Sequence, residues 1–239
     1  MRFRTTFSAL VLSFLVGIST SIIAQTPSLL SLAGQYSLAL KRLQSSKVRS
    51  SLEPVFRKGR LLMDHIYEIE DLSDADYANL EKLMTGFELN RQEILFIEPN
   101  ARFFESLARK KGMIADLDFF SLRRQLKPDN VWAAYLEQQT DVTACTKYGS
   151  GTLTDLYGKL VAFKRKHRTS YVPDINDAID DILREFDDSG CACGTRSGVV
   201  REFQLFIKTF PNDKHVPHIR KVLTHVKSRG DFRFTCHSG

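Results

Sequence analysis

The sequence predicts a mostly α-helical protein, either a helical-hairpin array or an irregular helical bundle, stapled by disulfides in its C-terminal half. Three observations predict it. Apolar residues recur at helical spacing through most of the 239 residues. All four cysteines, Cys145, Cys191, Cys193 and Cys236, fall in the last hundred residues. The first 24 residues read as a secretory signal peptide, which sets the redox environment in which those cysteines are to be understood.

In that leader Arg2 and Arg4 form a positive start, and Ala9 to Ile18 is an apolar run too short to span a bilayer. Small residues Ser19, Ser21 and Ala24 follow, so cleavage is expected after Ala24, giving a secreted or periplasmic protein. No cysteine lies near the cut to carry a lipid. The leader holds two of the 34 basic residues and none of the 28 acidic ones, so the remainder keeps 32 basic against 28 acidic residues, a net of +4. That mild, dispersed charge in an exported chain argues against nucleic acid as a partner.

The N-terminal helical region is expected over 25–140. Thr26-Pro27 reads as an N-cap and first-turn pair, after which Leu29, Leu32, Ala33, Tyr36, Ala39, Leu40 and Leu43 keep one helical face. A second helix is expected from about Ser51 to Ile69, and Ser73-Asp74-Ala75-Asp76 resembles a capping box opening a third that carries Tyr77, Leu80, Leu83, Met84 and Phe87. The run Glu93 to Glu98 is β-favouring and stopped by Pro99-Asn100; it reads as an extended segment without an obvious partner. Asn100 then caps a helix with Phe103, Phe104, Leu107 and Ala108, ending near Gly112. A short helix through Phe119, Leu122 and Leu126 follows, and another is expected around Trp132, Tyr135 and Leu136.

Residues 141–152 look like a boundary, because Thr, Ser, Gly149 and Gly151 cluster there without an apolar period. The C-terminal region, 141–239, should hold helices from about Thr152, over Pro173 to Phe186, Ser197 to Phe210 and Val216 to Val226, with an extended tail pinned by Cys236. Cys191 and Cys193 flank one alanine, and closing so small a ring conflicts with relaxed disulfide geometry. Each is therefore expected to reach outward, one to Cys145 and the other to Cys236. Loops of this size would contribute on the order of 4 kcal/mol per bridge in the chain-entropy account. Thiolate metal binding or redox exchange would need reduced sulfur, which export disfavours.

Two C-terminal segments echo each other, with Phe163 matching Phe206 and Val172-Pro173 matching Val216-Pro217. Each is helix, polar turn, helix, and the turn Phe210-Pro211-Asn212 resembles the junction between hairpins in tetratricopeptide-like repeats of envelope proteins. The offset of 43 residues is closer to HEAT-type pairs. Ile219, Val222 and Leu223 also depart from the small residues of tetratricopeptide packing. The resemblance implies a binding scaffold with no chemistry of its own.

Chemistry-bearing motifs are missing: no GxSxG, HExxH, phosphate loop or EF-hand occurs. His215, His218, His225 and His237 crowd the C-terminus, but Pro217 interrupts a shared face, so no metal ligand, cofactor or catalytic residue is assigned. Asp180, Asp181, Glu185, Asp187 and Asp188 follow the surface of a helix whose buried side is Ile179, Ile182, Leu183 and Phe186. Lys164, Arg165, Lys166 and Arg168, with His167 between them, make the densest basic cluster and a candidate surface for anionic lipid or cell-wall polymer. Arg109-Lys110-Lys111 and Arg123-Arg124 join it, and basic residues near helix C-termini also complement the helix macrodipole, which accounts for the 164–168 and 109–111 clusters without a ligand. The adjacent pairs Phe103-Phe104 and Phe119-Phe120 are either buried from two sides or expose one ring each as a partner anchor.

The expected function is an exported interaction or scaffold module of the cell envelope or exterior, binding an unidentified protein there. The alternatives are an envelope-polymer hydrolase and an anionic-surface binder. A deep pocket with convergent titratable groups would favour the hydrolase, and a long open concave surface the binder. Thiol titration of native protein without reductant is expected to find no reactive cysteine; four reactive thiols would overturn the disulfide framework.

Overall fold

The computed structural model describes residues 28–92, 94–140, 143–187 and 191–228. Within them the chain is 63% helical, with little strand, as the apolar periodicity predicts. Helix α1, Leu29–Ser45, is capped by Ser28, whose hydroxyl accepts from the Ser31 amide at 3.4 Å; the expected caps Thr26 and Pro27 lie outside the described residues. Helix α2 is Glu53–Arg60, continued by a 3₁₀ stretch, Leu61–Ile69, with non-helical geometry at His65. The single long helix expected there is thus two pieces. Helix α3, Asp74–Leu83, starts at Ser73, whose hydroxyl accepts from the Asp76 amide at 3.1 Å and donates to its carboxylate at 2.7 Å.

Phe87 does not extend α3. Gly86 has φ +91°, a conformation that breaks the helix and turns the chain into strand β1, Phe87–Asn90. This strand is the partner that the extended segment needs: it pairs antiparallel with β2, Phe96–Pro99, with Leu89 opposite Ile97. The helix expected around Trp132 is also absent. Asp129 Oδ1 accepts from the amides of Val131 and Trp132, and Asn130 takes φ +66°, so the side chain captures the donors a first helical turn would need. The chain instead enters β3, Leu136–Gln138, which pairs with β4, Ala144–Thr146.

Between the hairpins lie α4, Ala101–Lys111, capped by Asn100, and α5, Ile114–Leu126. After β4 come α6, Thr152–Lys166, α7, Val172–Arg184, α8, Arg196–Thr209, and α9, Val216–Ser228. Helix α6 packs on α7, α8 on α9, and α6 on α8, while α5 packs on both α4 and α6. One apolar core runs through all of these helices. Its aromatic centre is Phe56, ringed by Phe87, Phe104, Phe119, Phe120 and Tyr171. Phe119 stacks on Tyr171 at 3.7 Å and Phe120 on Phe104 at 4.9 Å. Phe119 and Phe120 are therefore both buried, because apolar partners approach α5 from two sides. Phe104 is buried and Phe103 only half so.

A disulfide joins Cys145 of β4 to Cys193, with Cα atoms 5.0 Å apart. The backbone reinforces it: Thr146 N donates to Cys191 O at 2.7 Å and Cys193 N to Thr146 O at 3.1 Å. Cys191 is disulfide-bonded too, and the expected partner Cys236 lies outside the described residues.

Two buried carboxylates organise helix starts. Asp116 in the first turn of α5 accepts from the Met113 amide at 2.7 Å, the Leu52 amide at 3.0 Å, the Ser51 hydroxyl at 3.3 Å and the Tyr171 phenol at 2.6 Å. Glu202 of α8 accepts from the amides of Gly149, Gly151 and Thr154 and the Thr154 hydroxyl at 2.8–3.2 Å. It thereby caps α6, whose own N-cap, Gly151 at φ +80°, has no side chain to do so. Asp116→Ala strands the buried Leu52 amide, the part-buried Met113 amide and a buried phenol, and is expected to cost about 3 kcal/mol or more in denaturant unfolding, against about 1.5 kcal/mol for Tyr171→Phe. An unchanged unfolding midpoint for Asp116→Ala would refute this role.

Candidate functional site

The site that the fold assembles is a cleft of about 410 Å³ between the end of α2, strand β2, the end of α5 and the outer side of α7. Arg60 closes α2, where its charge complements the helix C-terminus, and it reaches across to the first turns of α7. Its Nη1 is 3.3 Å from Asp174 Oδ1 and its Nη2 3.8 Å from Asp177 Oδ2. From the opposite wall Arg123 and Lys127 converge on Glu98 of β2, at 2.7 and 2.6 Å. Arg184 pairs with Asp181 at 2.6 Å on the rim. The Asp180 carboxylate also lines the cleft and has no ion pair among the described residues.

Two atoms stand out in this network. The Asp174 side chain is only 7% exposed, and its Oδ1 has no hydrogen-bond partner, since the approach of Arg60 is an ion pair without hydrogen-bond geometry. Arg123 Nε is buried without a partner as well. Unsatisfied buried groups of this kind are uncommon in native folds, and each calls for a physical reason such as strain, a chemical role or a bound water or ion. Burial pushes the Asp174 carboxyl up from its ordinary range, against the pull of Arg60 and Arg123. Burial likewise raises Asp181 and pulls the Arg123 guanidinium down.

Of the acidic residues singled out in the sequence, Asp180 and Asp181 reach the cleft. Glu185 instead turns inward, accepting from the Thr146 hydroxyl at 2.5 Å, and burial raises its carboxyl. Asp187 meets His218 at 2.6 Å, and Asp188 lies outside the described residues. Among the described residues no three His, Cys, Asp or Glu side chains are grouped to hold a metal ion. His237 is outside them.

The basic cluster at the end of α6 is divided. Lys166 and His167 both bond Asp118 Oδ2 at 2.7 Å, and Lys164 donates to Asn176 at 2.7 Å. Burial acts to raise the Asp118 carboxyl, but the bonds from Lys166 and His167 outweigh it and hold the group below its usual range. Arg165 and Arg168 are exposed and form no ion pair among the described residues. The cluster does not join the cleft.

No protein family, curated protein or solved structure matches this chain. The site therefore rests on its own geometry. Sequence reasoning missed Arg60, Glu98, Arg123 and Asp174, because each has an adequate local explanation as a helix-end charge, a strand residue or a first-turn acid. The one local hint is Asp174, placed just after Pro173 in the first turn of an amphipathic helix.

The raised Asp174 carboxyl carries a signed consequence. The folded state holds its proton more tightly than the unfolded chain, so this group's contribution to stability falls as pH rises from about 4 through its raised folded value. Asp174→Asn removes that dependence. Its stability relative to wild type should therefore improve as pH climbs through that window, measured by denaturant unfolding at a series of pH values. A constant difference would show that Asp174 titrates normally.

Proposed function

We propose that the protein is an exported interaction module that holds a polar segment of a partner in the cleft between α2, α5 and α7. The observation that carries the reading is the pair of buried, unsatisfied atoms, Arg123 Nε and Asp174 Oδ1, beside the cleft. Neither atom is open to solvent, so a ligand offering one acceptor and one donor would satisfy both by displacing the side chains that cover them, while Asp180, Asp181 and Arg184 at the rim would select its charge pattern. The volume, about 410 Å³, suits a short peptide segment or chain end and falls within the usual range of ligand pockets.

The cysteine chemistry supports the same reading. Disulfide bonding fits a protein that works outside the reducing cytosol. The leader, with cleavage after Ala24, would take it there, and no helix among the described residues is long and apolar enough to cross a membrane. The successive helix pairs α6–α7 and α8–α9 support reading this half of the chain as a tetratricopeptide-like or HEAT-like scaffold.

A hydrolase is the second reading, favoured by one observation: burial raises both Asp174 and Asp181 in one cleft, where a protonated carboxyl could act as a general acid. One feature weighs against it: Asp174 and Asp181 are each engaged by an arginine.

Capture from envelope extract by wild type and by the rim variant Asp180→Lys/Arg184→Glu separates these readings. The binding reading expects a partner whose retention drops about tenfold or more in the variant while thermal stability is unchanged. Equal retention by both proteins would overturn it. Release of soluble fragments from envelope polymer by wild type, abolished by Asp174→Asn, would establish the hydrolase instead.

A further inference from the structure

A second surface, away from the cleft, joins exposed apolar side chains to basic ones. The ends of α1 and α4 meet the start of α5 at one end of the molecule, and the loop 46–50 is laid along them. Ser50 N donates to Lys111 O at 3.0 Å, Arg49 Nη2 to Arg109 O at 2.8 Å, and Lys111 Nζ to Ser46 O at 2.5 Å. Ser46 Oγ holds the loop tip by bonding both the amide and the carbonyl of Val48, at 3.1 and 3.0 Å. Three apolar side chains project here into solvent: Val48 at 73%, Ile114 at 70% and Met113 at 52% exposure.

The charges around this tip have one sign. Lys47, Arg49, Arg109, Lys110 and Lys111 surround it, and Lys41 and Arg42 follow on the last turns of α1. The nearby carboxylates are already used: Glu53 bonds Arg57, Glu105 bonds Arg109 and Arg124, and Asp116 is buried. One turn along α5 from Ile114, Asp118 ties in Lys166 and His167 at the end of α6. Helix macrodipoles account for lysines at the ends of α1 and α4 but not for three solvent-facing apolar residues among them.

We propose that this end of the protein docks on an anionic phospholipid surface, with Val48, Met113 and Ile114 entering the headgroup boundary and the basic residues meeting lipid phosphates. The combination is what selects lipid. An anionic polymer would match the charge but offers no apolar phase for the three side chains, whereas a bilayer supplies both. The rigid Ser46-bonded tip presents the apolar residues with little ordering cost.

The test is co-sedimentation of the exported protein, isolated as the cell delivers it, with vesicles of equimolar phosphatidylglycerol and phosphatidylcholine and with phosphatidylcholine alone. Binding is expected to the mixed vesicles, weakened by salt. Lys47→Glu/Lys110→Glu should lower it by about twenty-fivefold or more, on the basis of about fivefold for each lysine lost. Val48→Ser/Ile114→Ser should lower it about tenfold while leaving the salt dependence unchanged. Reversal of Lys208 and Lys227 on the C-terminal helix pair serves as the control for net charge. The proposal is overturned by absence of binding to the anionic vesicles, by an equal loss in the control, or by full binding in the serine variant. Equal affinity for a soluble anionic wall polymer, unaffected by the serine changes, would assign the surface to polymer and likewise overturn it.

Discussion

The Asp116 carboxylate is shared by three stretches of chain that sequence holds far apart: the approach to α2 at Ser51 and Leu52, the start of α5 at Met113, and the α6–α7 turn at Tyr171. A charge buried this completely is tolerated only when its acceptor positions are filled, so each partner constrains the position of the other two. Tyr171 is also the ring that stacks on Phe119 and packs beside Phe56. It does so from a left-handed backbone conformation, φ +54°, that an isolated tyrosine would avoid. The hydrogen bond to Asp116 and the aromatic stack together hold it there, and through it the C-terminal helices are seated against the N-terminal ones.

Glu202 repeats the device nearer the C-terminus. By capping α6 from α8 it replaces a local signal with a long-range one, and it draws the turn at Gly149 and Gly151 against α8. The Cys145–Cys193 bridge lies in the same half of the chain, clamping β4 to the segment that leads into α8. Helices that are individually short thus acquire fixed relative positions from a few polar and covalent ties, while the aromatic core supplies the bulk of the burial. The cleft depends on this arrangement, because its walls come from α2, β2, α5 and α7 and no single element contains enough of it to bind anything.

Local chemistry made much of the helical content readable. Ser73, Asn100 and Pro173 mark helix starts by hydrogen bonding or restricted geometry that act within a few residues, and the observed helices begin beside them. The failures have equally local causes. Gly86 permits a positive φ that diverts Phe87 from a helix into a strand, and Asp129 captures the amides that a helix through Trp132 would require. The pairing of Leu89 with Ile97 could not be read from either run alone, since the first of them looks like the tail of α3.

Helical content and the confinement of the cysteines to the C-terminal half follow from the sequence by itself, because periodicity, caps and cysteine positions are properties of the linear chain. The cleft was decided only by tertiary structure. Arg60, Arg123, Glu98 and Asp174 are ordinary charged residues in their own segments, and they acquire meaning when packing removes their water and sets them against one another. Desolvation depends on everything around a group, so the raised carboxyl of Asp174 and the unmet bonds of Asp174 and Arg123 exist only in the folded molecule.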